Sequence, residues 1–419
     1  TFYLHLLVYF IYNLTHAVYG DTMYETIPRL QSVNFSNRSV LMRADFNVPF
    51  DKKTRTISSD KRINAALPTI QHILAQNPRR LILMSHLGKP KKMARKEEDF
   101  QEILSLDIVA NRLSELLNVK VTLVKDYLAE DIPEEGVILL ENVRFHYDAE
   151  QSKDDLKRKA FAERLASFGE VFVNDAFGTC HRKEASVYDV AKQLPSCIGF
   201  LVEKEVEALC GLIDNPKKPY IALLGGAKVE DKINVIAALA PKVDAIIIMG
   251  AMEFAFRKAQ GKNVGASLCI GVDVAQKALA EFGDKIVLPL DTVIAEKSGE
   301  EFTNIRTVPA GEIPDNFMGL DAGEKTIALI QEKCKDAQTI FWNGPAGMFE
   351  VAPFDKGTTA IAKALSELQN TRIVGGGDSV TAVEQAGVQD SFTHVSTGGG
   401  ASLELLEKGS LPALDVLVK

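Results

Sequence analysis

The chain lacks a long apolar run: outside its first 22 residues, no stretch is long and apolar enough to cross a bilayer. The five cysteines (Cys180, Cys197, Cys210, Cys269, Cys334) are odd in number, scattered, and without a C-x-x-C pair. That pattern argues against a disulfide framework or a zinc site and suggests a reducing compartment. Neither G-x-x-x-x-G-K-[ST] nor a G-x-G-x-x-G opening a βαβ unit is present, which excludes a P-loop enzyme and an evident dinucleotide-binding dehydrogenase. Basic excess is missing too, since the net charge of −8 disfavours non-specific nucleic-acid binding.

The 419 residues, 46% hydrophobic and 25% charged, suit a soluble globular chain of two or three domains. Charge is unevenly spread, at about +2 over residues 24–200 and about −9 over 201–419, so an anionic ligand requires a local basic cluster. Residues 1–22, TFYLHLLVYFIYNLTHAVYGDT, are aromatic, apolar and free of lysine and arginine. They read as an atypical leader or artefact, set apart from the fold.

From Tyr24 onward short apolar runs alternate with helical-length segments. Val40–Ala44, Leu81–Ser85, Val137–Leu140 and Val171–Asn174 read as strands, with helices over Ile63–Gln76, Ile103–Leu117 and Asp155–Phe168. Such alternation predicts a mostly parallel sheet. At the ends of these runs stand Arg43, Asp45 and Asn47, then His86 and Lys89, Asn142 and Arg144, and Asp175, His181 and Arg182. Ligands of doubly wound sheets bind outside the carboxyl ends of the strands, so this edge predicts an anion-binding floor. Arg62 joins it from the start of a helix near Lys61, which Ser59 or Asp60 is placed to cap. Singly, each arginine is more often an ion-pair residue; their coincidence favours a site.

The second half repeats the pattern over Ile221–Leu224, Ala245–Met249, Ile286–Leu290, Thr339–Trp342, Arg372–Val374 and His394–Ser396, but glycine ends its strands. The loops GGAK, MGAM, NGPAGMFE, GGGDS and TGGGAS offer backbone amides at close range, which suits a nucleotide. In YIALLGGAKVEDKI the expectation is strand, glycine turn and helix, with Lys228 and Lys232 four apart on one helical face near its amide-rich N-terminus. Asp378 has two readings of equal weight from spacing alone, a helix cap and a magnesium ligand.

RADFNVP (43–49), ISSDKRINAALPTI (57–70), SHLGKP (85–90), LENVRFH (140–146), NDAFGTCHR (174–182), GGAKVEDKI (225–233), NGPAGMFE (343–350), GGGDS (375–379) and STGGGASLELLE (396–407) together resemble the phosphoglycerate kinase family, in the family's order and from about Tyr24 to the C-terminus. The resemblance implies two doubly wound, mostly parallel α/β (Rossmann-like) domains: a 3-phosphoglycerate domain over 23–200, a hinge helix over 201–213, a nucleotide domain over 214–400, and a segment, 401–419, returning to the first domain. It implies reversible phosphoryl transfer between 1,3-bisphosphoglycerate and ADP, in line and after closure of the domains, with Mg²⁺ accompanying ATP or ADP. Asp45, Phe46, Asn47, Arg62, His86, Leu87, Gly88, Lys89, Arg144 and Arg182 match the triose-binding positions. Gly225, Gly226, Lys232, Gly323, Asn343, Glu350, Gly376, Gly377, Asp378 and Ser379 match the nucleotide-binding positions, with Asp378 the metal ligand. Arg62, Lys228 and Lys232 match the catalytic positions. A cytoplasmic monomer acting on small molecules, without nucleic-acid or membrane partners, is implied, or an organellar form if residues 1–22 belong to a leader.

Three departures from the family pattern stand out. Lys89 replaces an arginine, Met249 and Ala251 add bulk where the family has glycines beside the adenine pocket, and the glycine of LEKGSLPAL falls one place late. Two other readings stay open at this level: another acyl-phosphate kinase on a different small carboxylate, and a binding or regulatory homologue without turnover.

Overall fold

The computed structural model describes residues 24–94, 99–129 and 131–418, so the leader-like segment 1–22 lies outside the described residues. The chain divides into two compact units. The first gathers the chain up to Ala176 with Arg182–Val206 and Pro412–Lys419; the second comprises Phe177–His181 and Glu207–Leu411. The division falls within the helix Phe200–Ile213. Residues 401–411 therefore pack with the second unit, and only from Pro412 does the tail belong to the first, where Tyr24 Oη donates to Asp415 Oδ1 at 3.1 Å. The late glycine has a local role. Gly409, at φ +70°, ends the helix Gly399–Lys408 in a left-handed cap and returns its N–H to Leu405 O at 2.8 Å.

In the first unit β1 (Ser39–Ala44), β2 (Arg80–Met84), β3 (Val121–Val124), β4 (Gly136–Leu140), β5 (Val171–Asp175) and β6 (Ser196–Ile198) form one parallel sheet in the order β3-β4-β2-β1-β5-β6. Val40 stands opposite both Leu81 and Val171, and every residue of β1 is buried. A strand covered on both faces needs a continuous apolar run, which is why β1, β2, β4 and β5 are readable in the sequence. β3 and β6 are not. Each is four residues or fewer and is defined by pairing with a neighbour.

Two expectations about helices change. The helix read over Ile103–Leu117 is a turn at Phe100–Ile103 followed by a helix over Asp107–Leu117. It breaks where Ser105 Oγ and Leu106 N–H donate to the buried Glu141 carboxylate at 2.6 and 2.8 Å. The helix Lys61–Leu74 begins as expected, but the Asp60 side chain does not cap it. That carboxylate accepts instead from Arg112 at 2.8 Å and Asn64 at 2.9 Å.

The second unit carries a parallel sheet of β7 (Tyr220–Leu224), β8 (Ala245–Ile248), β10 (Ile286–Val287), β15 (Thr339–Asn343), β16 (Thr371–Gly375) and β17 (His394–Val395) in the order β10-β8-β7-β15-β16-β17. Numbered along the chain this is 3-2-1-4-5-6, whose strand order reverses between β7 and β15. Beside it lie an antiparallel sheet of β11 (Asp291–Ser298), β12 (Glu301–Pro309) and β14 (Phe317–Ala322), and a parallel pair of β9 (Asn263–Val264) and β13 (Glu312–Ile313). Sequence reading missed these because β12 is largely exposed and mixes charged with apolar residues, so neither period stands out. The strand expected over Ile286–Leu290 is shortened to two residues before Pro289.

Candidate functional site

In the first unit the chain leaves β1 through Arg43, a fully buried guanidinium. Its Nε donates to Ser186 Oγ at 2.9 Å, Nη1 donates to Ala44 O, and Nη2 lies 3.1 Å from His86 Nδ1. Arginine only donates, so His86 Nδ1 accepts and the ring proton of the neutral imidazole sits on Nε2. Burial holds the His86 pKa well below the ordinary 6.5, reinforced by the charges of Arg144, Arg43, Arg62 and Arg182. Four guanidinium groups therefore act on one neutral histidine.

Buried carboxylates hold those arginines in place. Arg144 Nη2 reaches both oxygens of Glu184 at 2.9 and 3.2 Å, and Arg182 lies 3.6 Å from the same carboxylate. Ser186, which receives Arg43, donates in turn to Glu150 Oε1 at 2.5 Å. Burial, then the nearby Glu184 charge, pushes the Glu150 pKa up to about 7. Sequence reading singled out Arg43 but missed Glu150, Glu184 and Ser186, whose neighbours carry no local signature. Of the four arginines the most accessible to a ligand are Arg62 and Arg182, with side chains 34% and 47% exposed; Arg62 also pairs with Asp45.

The remaining expected triose residues divide by burial. Asn47 Oδ1 accepts the Gly88 N–H at 2.7 Å, which joins the loops after β1 and β2, and Asp45 Oδ1 accepts the Asn47 N–H at 3.2 Å. Phe46 and Leu87 point into the hydrophobic core, so only their backbone can serve a ligand. Lys89 is exposed as the residue preceding the short helix Pro90–Met93, and its charge is not among those that act on His86.

In the second unit the reversal of strand order is a backbone-to-backbone contact. A Cβ on Gly225 would meet Pro345 O at 2.1 Å, and one on Gly344 would meet Gly225 O at 2.2 Å. Beside this crossing lies a cavity of about 350 Å³. Its wall combines glycine and acidic residues, among them Gly226, Glu350 and Asp378, with apolar ones, among them Phe254, Leu268, Met318 and Leu320. Met249 and Ala251 also line it, but the Met249 side chain is absorbed in the core, so the added bulk leaves the cavity open.

The two lysines are not on a helical face. The helix begins only at Ile233, after a turn in which the Lys232 N–H donates to Val229 O at 2.9 Å, and Lys228 lies exposed in the preceding loop. The wide turn follows from Gly226, at φ +145°. Lys232 Nζ turns inward to Asn343 Oδ1, while Asn343 Nδ2 donates to Gly375 O at 2.8 Å. Burial lowers the Lys232 pKa to about 8, against the opposing pull of Asp231 and Asp378.

The other expected nucleotide residues have mixed placements. Asp378 is exposed in the first turn of the helix Gly377–Gln385 and lines the cavity; Gly376 precedes the helix, and no side-chain cap forms, so the capping alternative falls away. Gly376 needs its φ of +94°, and a Cβ there would sit 2.7 Å from Asn343 Nδ2, whereas Gly377 has open space around it. Ser379 is buried and its hydroxyl accepts the Gly344 N–H, so it braces the neighbouring loop. Gly323 is likewise buried, with the Asp291 carboxylate where a Cβ would be. Glu253 and Asp321 were missed; both are buried acids in the cavity wall, and burial pushes their pKa values up to about 8 and about 7.

An arginine basin at the strand ends of one parallel sheet, and glycine loops about a cavity at those of another, define a two-domain α/β phosphotransferase. The family model described as phosphoglycerate kinase matches residues 30–409. Cytosolic phosphoglycerate kinase 3 of Arabidopsis thaliana is 45% identical over 93% of this chain and 97% of its own. Chloroplastic phosphoglycerate kinase 2 of the same plant is 44% identical over 94% of this chain and 82% of its own. The solved phosphoglycerate kinase of Coxiella burnetii superposes with a TM-score of 0.83 at 37% identity, covering 94% of this chain and all of its own. The chain belongs to the phosphoglycerate kinase family.

Proposed function

We propose a division of labour between the two units in one reaction. That reaction is the reversible transfer of a phosphoryl group between 1,3-bisphosphoglycerate and ADP, giving 3-phosphoglycerate and ATP. The first unit takes the triose in the arginine basin, and the second takes ADP or ATP in the cavity. The observation that carries this assignment is the set of four guanidinium groups about neutral His86. Two of them, Arg62 and Arg182, are open to a ligand and the buried pair adds to the field there, which fits a ligand bearing both phosphate and carboxylate.

The chemistry needs little beyond charge and position. The carboxylate of 3-phosphoglycerate is already ionised at neutral pH, so no general base is required in the ATP-consuming direction. His86 then serves as a hydrogen-bond donor through Nε2. In-line transfer leaves charge on the equatorial oxygens of the moving group, and Arg62, Lys228 and Lys232 neutralise it. Asn343 aims the Lys232 ammonium. Direct transfer requires donor and acceptor in contact, so turnover proceeds through closure of the two units.

Asp378 fits a magnesium ligand. It is an exposed carboxylate lining the cavity, beside the glycines that begin a helix. Among the described residues no group of three or more His, Cys, Asp or Glu could hold a metal. Mg²⁺ would then be held by this one carboxylate together with nucleotide phosphates and water, as it commonly is. When bound, the ion offsets phosphate charge. No helix among the described residues is long and apolar enough to cross a membrane. We assign a cytoplasmic monomer acting on small molecules, with no nucleic-acid or membrane partner; an organellar form applies if residues 1–22 are a leader.

The direct test is ATP formation by the full chain from ADP, Mg²⁺ and 1,3-bisphosphoglycerate. Arg62→Ala and Lys232→Ala should each lose on the order of 10³-fold in turnover. A parent protein that binds both ligands yet forms no ATP would overturn the enzymatic reading.

A further inference from the structure

One residue of the cavity wall has no part in phosphoryl transfer. Glu253 stands in the first turn of the helix Met252–Ala259 and is only 4% exposed, yet its side chain lines the cavity beside Phe254. Its Oε1 accepts from the Thr292 hydroxyl at 3.0 Å, and among the described residues Oε2 has no hydrogen-bond partner. Arg257, one turn further along, directs its guanidinium to Pro289 O and Gln260 Oε1 instead. A buried carboxyl with one oxygen uncommitted at a cavity wall is poised for a polar ligand group.

We propose that Glu253 is a specificity-determining residue that pairs with the edge of the nucleotide base, donating to a ring nitrogen and accepting from the exocyclic amine of a 6-aminopurine. The inference rests on the reading that the nucleotide occupies this cavity. With the proton on Oε2, that oxygen donates to the ring nitrogen, and Oε1, which keeps a second lone pair beside the Thr292 hydrogen bond, accepts from the amine. Burial keeps Glu253 protonated at neutral pH; the Asp291 charge reinforces this, while the Thr292 hydrogen bond and the Arg257 charge oppose it. Once ionised, the group loses its O–H and sets an anionic oxygen against the ring-nitrogen lone pair. A 6-oxo-2-aminopurine then becomes the better partner, because its ring N–H and amine are two adjacent donors.

The test is the ratio of ADP to GDP affinity, measured by calorimetry on the full chain from pH ~6.5 to ~8.5, spanning the Glu253 value of about 8. The ratio should fall roughly tenfold across that range as the carboxyl ionises. Lys232 and Asp321 titrate over the same interval, but Lys232 acts on phosphates common to both nucleotides, and both Asp321 oxygens are held by the Ala322 and Gly357 N–H groups, so neither discriminates the bases. Glu253→Gln carries donor and acceptor at every pH, so its ratio should stay constant within about twofold. Methyl resonances of Met318 and Met348, both in the wall, test the underlying reading by shifting when ADP is added. If they shift but the parent ratio is independent of pH, or Glu253→Gln keeps the parent slope, the role of Glu253 is overturned and the cavity reading stands. If ADP moves neither methyl, both fall.

Discussion

The strand ends of the two units differ in which part of the chain carries positive potential. In the first, side chains do: Arg43, Arg62, Arg144 and Arg182 all act on His86, and the buried acids Glu150 and Glu184 hold part of that array through Ser186 and Arg144. In the second, glycine loops let the backbone approach, and Lys232 is the cation turned inward beside them. Similar layers of strand and helix thus carry two kinds of candidate anion site. One depends on a network of compensated charges, and the other depends on the absence of Cβ atoms.

The largest effect that would probe this contrast comes from the charge network. Glu184→Gln removes a buried partner of Arg144 and should cost about 3–5 kcal/mol of stability in urea unfolding. It should also weaken 3-phosphoglycerate binding more than ADP binding. An unchanged unfolding midpoint would mean that the arginines do not need their carboxylate.

Gly344→Ala probes the other half. Its Cβ would meet Gly225 O at 2.2 Å from a φ of +95°, so a loss of about 1–3 kcal/mol and weakened ADP binding are expected, with 3-phosphoglycerate binding retained. Normal ADP affinity in this variant would break the backbone side of the comparison.

A pH series sharpens the contrast because arginine stays charged where a buried lysine does not. With Lys232 lowered to about 8, ADP affinity should fall about tenfold from pH ~7 to ~9, while 3-phosphoglycerate affinity changes little. Lys232→Arg should make the ADP curve shallower, leaving the part that Glu253 contributes. Stability moves oppositely. Because the folded-state value is depressed, this group's favourable contribution is fully present above the unfolded value of 10.5 and is lost as pH falls through about 8. The smallest effect is expected of Lys89→Arg: Lys89 is exposed and outside the set acting on His86, so triose affinity should shift by less than about twofold.

Strands covered on both faces, such as β1 and β7, were legible because their burial demands unbroken apolar runs. Exposed β12 was not, for want of a period, and the placement of Lys228 and Lys232 was misread because the turn at Gly226 delays the helix to Ile233. Gly323 and Ser379 matched nucleotide-binding positions in the sequence but are buried in supporting contacts. Spacing along a chain does not show which way a residue faces.

By itself the sequence determined the alternation of strand and helix, the arginine-bearing and glycine-bearing loops, and the family, because these depend on residue type and local order. Only the tertiary structure decided that Glu150, Glu184 and Ser186 support the basin, that Lys232 turns inward to Asn343, and that Glu253 faces a cavity. Those facts depend on contacts between segments distant in the chain and on burial, which sets whether a carboxyl or an ammonium keeps its proton.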